Sequence, residues 1–202
     1  MNLKRITKIL GNQDVRFNFY DELEIRNEIV YFSAISDFER KLLYDNLSNN
    51  DKSEYISNSA TINLPNISED ILYERYNKFD KWAFKITLDK IRKVTTIYSN
   101  EEKLAFAAYI ILHEIGHWYD FIEMGKKPYI FSEKDIMLRK KVFKERISLQ
   151  ESLYLKAYLT EEENKKVELY YEKYNSIPME NKANKYADMH IDDFLNKLRK
   201  YY

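Results

Sequence analysis

The chain has 202 residues, and its 33 Lys and Arg balance 33 Asp and Glu, so the formal net charge is zero. This balance argues against direct nucleic-acid binding, which draws on a strong positive charge. With 45% apolar and 33% charged residues, the composition is that of a globular protein, and the length predicts a single domain over 1–202.

Cysteine is absent, which excludes disulfide scaffolds, cysteine nucleophiles and cysteine-ligated zinc. No apolar run approaches the ~18 residues of a membrane span, and the N-terminus lacks the apolar core of a signal peptide. We therefore expect a cytoplasmic protein without a membrane partner. The three glycines and three prolines are few, which predicts a largely helical chain.

The predicted strands lie mainly in an N-terminal part, residues 1–66. Alternating apolar and polar positions over 15–34 predict one or two strands, and 60–64 predict another. Between them, the pattern predicts a helix over 37–47 and a polar connector over 48–59. Together these segments predict a small N-terminal β-sheet.

Helical signals dominate from Ser68 onward. Ser68 followed by acidic residues is an N-cap signature, and its helix is predicted to reach Lys85 or beyond. The β-branched and aromatic run at 94–99 predicts a strand. Asn100 is predicted to cap a long helix that Gly125 ends.

The C-terminal part contains three further predicted helices. They cover about 133–159, a segment starting at Thr160, and a segment from near Ser176 to the C-terminus. The first two form a predicted helical hairpin inserted over 133–175. The whole pattern predicts an α+β fold that is mostly helical.

His113-Glu114-Ile115-Gly116-His117 is an HExxH motif within the long predicted helix. Residues four apart share a helix face, so two imidazoles can bind one metal ion. Glu114 lies about 100° around the helix from His113, where its carboxylate can take a proton from water. Gly116 costs roughly 1 kcal/mol relative to Ala, which a close approach by another backbone would offset.

A catalytic zinc site has three protein ligands, and without cysteine the third must be His, Asp or Glu. The last predicted helix has a stripe at helical spacing, formed by Glu180, Ala183, Asn184 and Ala187. The alanines allow close packing on the motif helix, which would bring Glu180 to the metal. Asn184 can then accept a hydrogen bond from the second nitrogen of a ligating histidine.

Other interpretations of these residues stay open. Glu180 can instead be an ordinary glutamate that the N-terminal dipole of its helix stabilises. His190 is about 15 Å along the helix from Glu180, so the two cannot bind one ion, and a surface or core role fits His190 better. Asp120, three residues past His117, is a rival ligand or an orienting group.

The motifs, taken together, resemble a known family. HExxH followed by Glu-x-x-Ala-Asn-x-x-Ala from Glu180 is similar to the ImmA/IrrE metallopeptidases, a gluzincin-like group of HExxH zincins. The resemblance covers about residues 94–124 and 178–190. The gap from His117 to Glu180 is longer than is usual in that family, and this long gap also resembles lethal-factor-like toxin peptidases.

This resemblance implies a zincin-like metallopeptidase fold with Zn²⁺ as cofactor. It implies zinc ligands at His113, His117 and Glu180, and a general base at Glu114. Members of the family are typically encoded with bacterial mobile elements or stress-response systems, and several are linked to cleavage of a partner repressor.

The expected activity is hydrolysis of a peptide bond in a protein or peptide substrate. The alternatives are a non-catalytic metal-binding regulator that recognises a partner through its inserted helices, and a toxin peptidase. The oxyanion donor is left open among the tyrosines and His190. An extended substrate is expected to pair with a strand edge at 60–64 or with the strand before the motif helix.

Overall fold

The computed structural model describes residues 1–11, 14–20, 30–34, 60–125, 138–142, 144–146, 148–149, 153 and 159–201. Its elements are α1 (Leu3–Leu10), β1 (Phe17–Tyr20), β2 (Tyr31–Ser33), β3 (Thr61–Pro65), α2 (Glu69–Phe79), α3 (Lys81–Val94), α4 (Glu102–Glu123), α5 (Glu161–Asn175) and α6 (Pro178–Arg199). All described residues between 138 and 149 are also helical. The α+β class and its dominance by helices are therefore confirmed.

The described strands form one sheet in the order β1-β3-β2. β1 runs parallel to β3, and β2 runs antiparallel to it. The strand predictions at 15–34 and 60–64 are thus confirmed, but the prediction of a substrate-pairing edge at 60–64 is wrong. β3 is the central strand, and both of its backbone edges pair with neighbours.

The helix α1 was not predicted. The Asn2 side chain caps it by accepting a hydrogen bond from the backbone N–H of Lys4 at 2.8 Å. Gly11, at φ 71°, ends it in the left-handed conformation that glycine adopts without strain. Its apolar side chains Leu3 and Ile6 are fully buried, so packing stabilises this short helix.

The helix predicted from Ser68 to Lys85 or beyond is broken at Asp80. Ser68 caps α2 as expected, but Asp80 has φ −141° and ψ 66° and separates α2 from α3. Its Oδ1 accepts a hydrogen bond from Ala83 N at 3.1 Å. Arg146 also donates to Asp80, at 2.7 Å. The carboxylate thus caps α3 and binds a distant helix, which offsets the interrupted backbone ladder.

The predicted strand at 94–99 is also wrong. Val94 is the last residue of α3, and a connector without regular structure leads to α4. Asn100 does not cap α4, because the N-cap residue is Glu101 and makes no side-chain capping hydrogen bond. Instead, Arg199 donates to Glu101 Oε1 at 3.1 Å and to the Thr96 carbonyl at 3.0 Å. The far end of the chain therefore fixes this connector, a contact invisible in a local pattern.

The motif helix α4 lies at the centre of the buried core. Most of its side chains are buried, including the fully buried Phe106 and Ile111. On one side Trp118 meets Phe32 of β2 edge to face, with ring centres 6.2 Å apart. α6 packs along another side. The sheet and α6 together fix the orientation of the HExxH motif.

α4 and α6 come into backbone contact at Gly116. A Cβ atom at this position would lie 2.6 Å from Ala183 Cα and 2.9 Å from the Ala183 carbonyl oxygen. Only a residue without a side chain fits there, as the sequence pattern predicted. The helical segments expected at 37–47 and the connector at 48–59 lie outside the described residues, and the first helix of the 133–175 hairpin is described only in part.

Replacing Gly116 by Ala should destabilise the protein by about 1–3 kcal/mol, because the two backbones must separate. Chemical denaturation measures this change, and metal affinity should fall with it because Glu180 moves away. Gly125→Ala is the control: its φ of 70° is strained for alanine, but nothing lies within 4 Å of the new Cβ. That variant should lose about 1 kcal/mol of stability and keep its metal affinity. Equal effects on metal binding would contradict the close-contact explanation.

Replacing Glu101 by Gln should lower the free energy of unfolding by about 1–2 kcal/mol at pH 7. The Arg199 guanidinium holds the pKa of Glu101 below its usual 4.5. The ion pair therefore stabilises the fold above pH 4.5, and its contribution disappears as the pH falls through the lowered pKa. In thermal melts, the difference between wild type and variant should shrink below pH 4.5. Glu168→Gln, which alters an exposed residue of the helix Glu161–Asn175, is the control and should melt as wild type does at pH 7.

Candidate metal centre

The structure brings His113, His117 and Glu180 together, with one ligand atom from each lying within 4.8 Å of the others. Glu180 Oε2 is 3.3 Å from His113 Nε2, and Glu180 Oε1 is 3.6 Å from His117 Nε2. The one-turn spacing on α4 aligns the two imidazoles. The contact between Gly116 and Ala183 brings the first turn of α6 close enough for Glu180 to reach them.

The carboxylate of Glu180 is buried as an anion. Its side chain is 1% exposed. Burial opposes its ionisation, but the adjacent His113 and His117 imidazoles prevail and hold its pKa well below 4.5. For His117, burial lowers the pKa, but Glu180 and Glu114 outweigh this effect and raise it above 6.5. The site thus concentrates negative charge that favours a cation.

The unpartnered polar atoms fit a metal ion. Glu180 Oε2 has no aligned hydrogen-bond partner among the described residues, although it is completely buried. A buried carboxylate oxygen left in this state costs about 1–3 kcal/mol or more. A metal coordinated by Glu180 and the Nε2 atoms of His113 and His117 would satisfy it. Two histidines and one glutamate are a donor set of catalytic zinc sites.

Asn184 holds one of the imidazoles. Its Oδ1 lies 3.1 Å from His113 Nδ1, and its Nδ2 donates to Asn175 Oδ1 at 3.2 Å. The hydrogen-bond network therefore assigns the Nδ1–H tautomer to His113, which leaves the Nε2 lone pair for a metal. This is the position that the sequence pattern predicted for Asn184. Asn175, at the end of α5, was not predicted.

Glu114 lies beside the three ligand residues rather than among them. Its Oε2 accepts a hydrogen bond from the backbone N–H of Phe32 in β2, at 2.6 Å. Burial raises the pKa of Glu114, while His113, His117 and the Phe32 N–H act in the opposite direction. A raised pKa makes the carboxylate a stronger base, which suits a group that takes a proton from water.

The two rival residues lie outside the cluster. Asp120 is buried, and its Oδ1 forms an ion pair with Lys182 of α6. Lys182 Nζ also lies 3.3 Å from Glu123 Oε2. Asp120 therefore joins the two helices and does not contribute a ligand atom. His190 is exposed and packs on Tyr186 with ring centres 4.3 Å apart. This agrees with the surface role favoured from its helical position.

Two neighbours of Glu180 were missed at the level of sequence. Arg139 forms an ion pair through Nη2 with Glu180 Oε1. Tyr174 lies near the same carboxylate, and burial first and then the negative charge of Glu180 raise its pKa well above 10. Neither residue belongs to a recognisable sequence motif, because only the tertiary fold brings them to Glu180.

Comparison with known proteins returned no match: no protein-family model, no curated protein and no solved structure is significantly similar to this chain. The resemblance to the ImmA/IrrE family thus rests on the motifs alone. Among the residues that the structure describes, no helix combines the length and apolarity needed to cross a membrane.

Replacing Asn184 by Ala should weaken Zn²⁺ binding about 10–100-fold, because His113 loses the partner that fixes its tautomer and ring orientation. Competition with a chromophoric chelator measures this change. Asn181→Ala is the matched control. Asn181 lies on the same helix, and no described hydrogen bond joins its side-chain amide to the ligand residues. If both variants bind zinc as wild type does, the orienting role of Asn184 is wrong.

Proposed function

We propose that this chain is a zinc metalloendopeptidase with a zincin-like fold. The observation that carries the proposal is the convergence of His113, His117 and Glu180 with Glu114 directly beside them. Three ligands leave one coordination position open for water or substrate, as catalytic zinc sites require. A purely structural metal site has no use for a carboxylate such as Glu114, which favours an enzyme over a non-catalytic metal-binding protein.

The chain's own residues divide the work of hydrolysis. A bound Zn²⁺ would supply a Lewis acid and lower the pKa of water to about 7. Glu114 accepts the proton of the attacking water and delivers it to the departing amine. The Phe32 N–H holds the carboxylate of Glu114 in place. Asn184 keeps His113 in the tautomer that can bind a metal. Glu180 supplies a negatively charged ligand for the ion.

The substrate class follows from this chemistry and from the motif resemblance. A zinc site with an adjacent carboxylate base hydrolyses amide bonds, so the substrate is a protein or peptide. The similarity to ImmA/IrrE peptidases favours a partner repressor or regulator as that protein.

Replacing Glu114 by Gln tests this assignment. The variant should retain one zinc ion per chain but lose cleavage of a defined peptide library by at least about 100-fold. Mass spectrometry detects the new termini, and zinc content is measured in parallel. Chelation should abolish the wild-type activity, and added Zn²⁺ should restore it. Glu123→Gln, which alters an exposed glutamate of the same helix, should cleave as wild type does.

Two results would contradict the proposal in different ways. If Glu114→Gln cleaves as fast as wild type, Glu114 is not the base. If wild type binds one zinc ion yet cleaves no library peptide and no candidate repressor, the non-catalytic metal-binding function is favoured instead.

A further inference from the structure

The helical stretch around residue 139 places a cation on the metal-binding carboxylate. Arg139 pairs with Glu180 Oε1, the oxygen that lies 3.6 Å from His117 Nε2. Its guanidinium therefore contacts one of the candidate ligand residues directly. The side chain is 36% exposed, so it is neither fully buried nor fully solvated.

The neighbouring tyrosine fixes this guanidinium. The Arg139 guanidinium carbon lies 6.0 Å from the centre of the Tyr174 ring, within the range of a cation–π contact. The ion pair with Glu180 and this ring contact hold the Arg139 side chain from two sides. Arg139 is thus held in place before any substrate arrives, which is what electrostatic stabilisation of a transition state requires.

Lys182 and His190, one of the donor candidates left open by the sequence, are engaged away from the candidate ligand residues. Lys182 pairs with Asp120 and Glu123. His190 packs on Tyr186 at the surface. Among the described ion pairs, the pair between Arg139 and Glu180 joins a basic side chain to a candidate ligand residue.

We propose that Arg139 is the catalytic residue that stabilises the oxyanion formed on the substrate carbonyl during hydrolysis. This inference rests on the proposed peptidase function. A guanidinium stays charged at every working pH and offers five N–H donors, so it can bind a developing oxyanion while remaining close to Glu180. Water attack places negative charge on the carbonyl oxygen, and Arg139 compensates it without taking a proton.

A tetrahedral anion tests this role without a known substrate. The protein is loaded with Co²⁺, whose visible absorption reports ligands at the metal, and is titrated with inorganic phosphate and then with acetate. Arg139→Gln should weaken phosphate binding at least about tenfold, with a smaller effect on planar acetate. Arg139→Lys, which keeps the charge but loses the fork of donors, should be intermediate. Lys140→Gln, which removes an exposed charge from the adjacent position, should bind phosphate as wild type does.

The affinity for Co²⁺ itself separates this role from mere support of Glu180. If Arg139 acts on the oxyanion, Arg139→Gln should bind Co²⁺ as tightly as wild type or more tightly, because a repelling positive charge is gone. On any library peptide that wild type cleaves, the kcat of this variant should fall about 100-fold with little change in KM.

Weaker Co²⁺ binding by Arg139→Gln with unchanged phosphate affinity would overturn the inference and assign Arg139 to positioning Glu180. That result would leave the proposed peptidase intact. Failure of wild type to bind Co²⁺ or Zn²⁺ would instead refute the metal site, and with it both proposals.

Discussion

The site depends on the distance between two helix backbones. At the crossing of α4 and α6, Gly116 has no side chain, and the Ala183 backbone occupies the space where a Cβ would stand. The HExxH spacing supplies two imidazoles wherever a helix forms, but the third candidate ligand, Glu180, lies on a helix more than sixty positions further along the chain. Only contact between the backbones lets a side chain as short as glutamate span the gap.

The buried carboxylate explains why the site and the fold are energetically linked. Glu180 lies in the core as an anion and is compensated by two imidazoles and a guanidinium. Burying a charge is unfavourable unless it is paired, and the pairing here leaves one oxygen without an aligned partner. A metal ion that binds the folded chain more tightly than the unfolded chain would therefore also stabilise the fold.

The sequence predicted those parts of the site that follow from helix periodicity. The spacing within the HExxH motif, the stripe of small residues at Ala183 and Ala187, and the place of Asn184 all follow from 3.6 residues per turn. The sequence failed where distant residues decide the conformation. The run at 94–99 has strand propensity, yet Arg199 holds it as an irregular connector. Asp80 resembles an ordinary helical position, and its contacts with Arg146 and Tyr171 break the helix there.

Arg139 is a further example of the same limit. It belongs to a stretch rich in basic residues, where one arginine looks like the next. Nothing in its immediate neighbours indicates that it reaches Glu180, since that contact requires the packing of α5 and α6. A candidate site residue within a motif can be identified from one sequence, whereas a contact made by a distant helix cannot.

The ion pairs at the two ends of the α4–α6 pair have a mechanical consequence. Arg199 binds Glu101 at the start of the motif helix, and Lys182 binds Asp120 near its end. Two antiparallel helices joined at both ends cannot slide along each other. A slip of one residue would shift His113 and His117 by about 1.5 Å relative to Glu180. The two ion pairs therefore keep the His113 and His117 imidazoles in register with the Glu180 carboxylate.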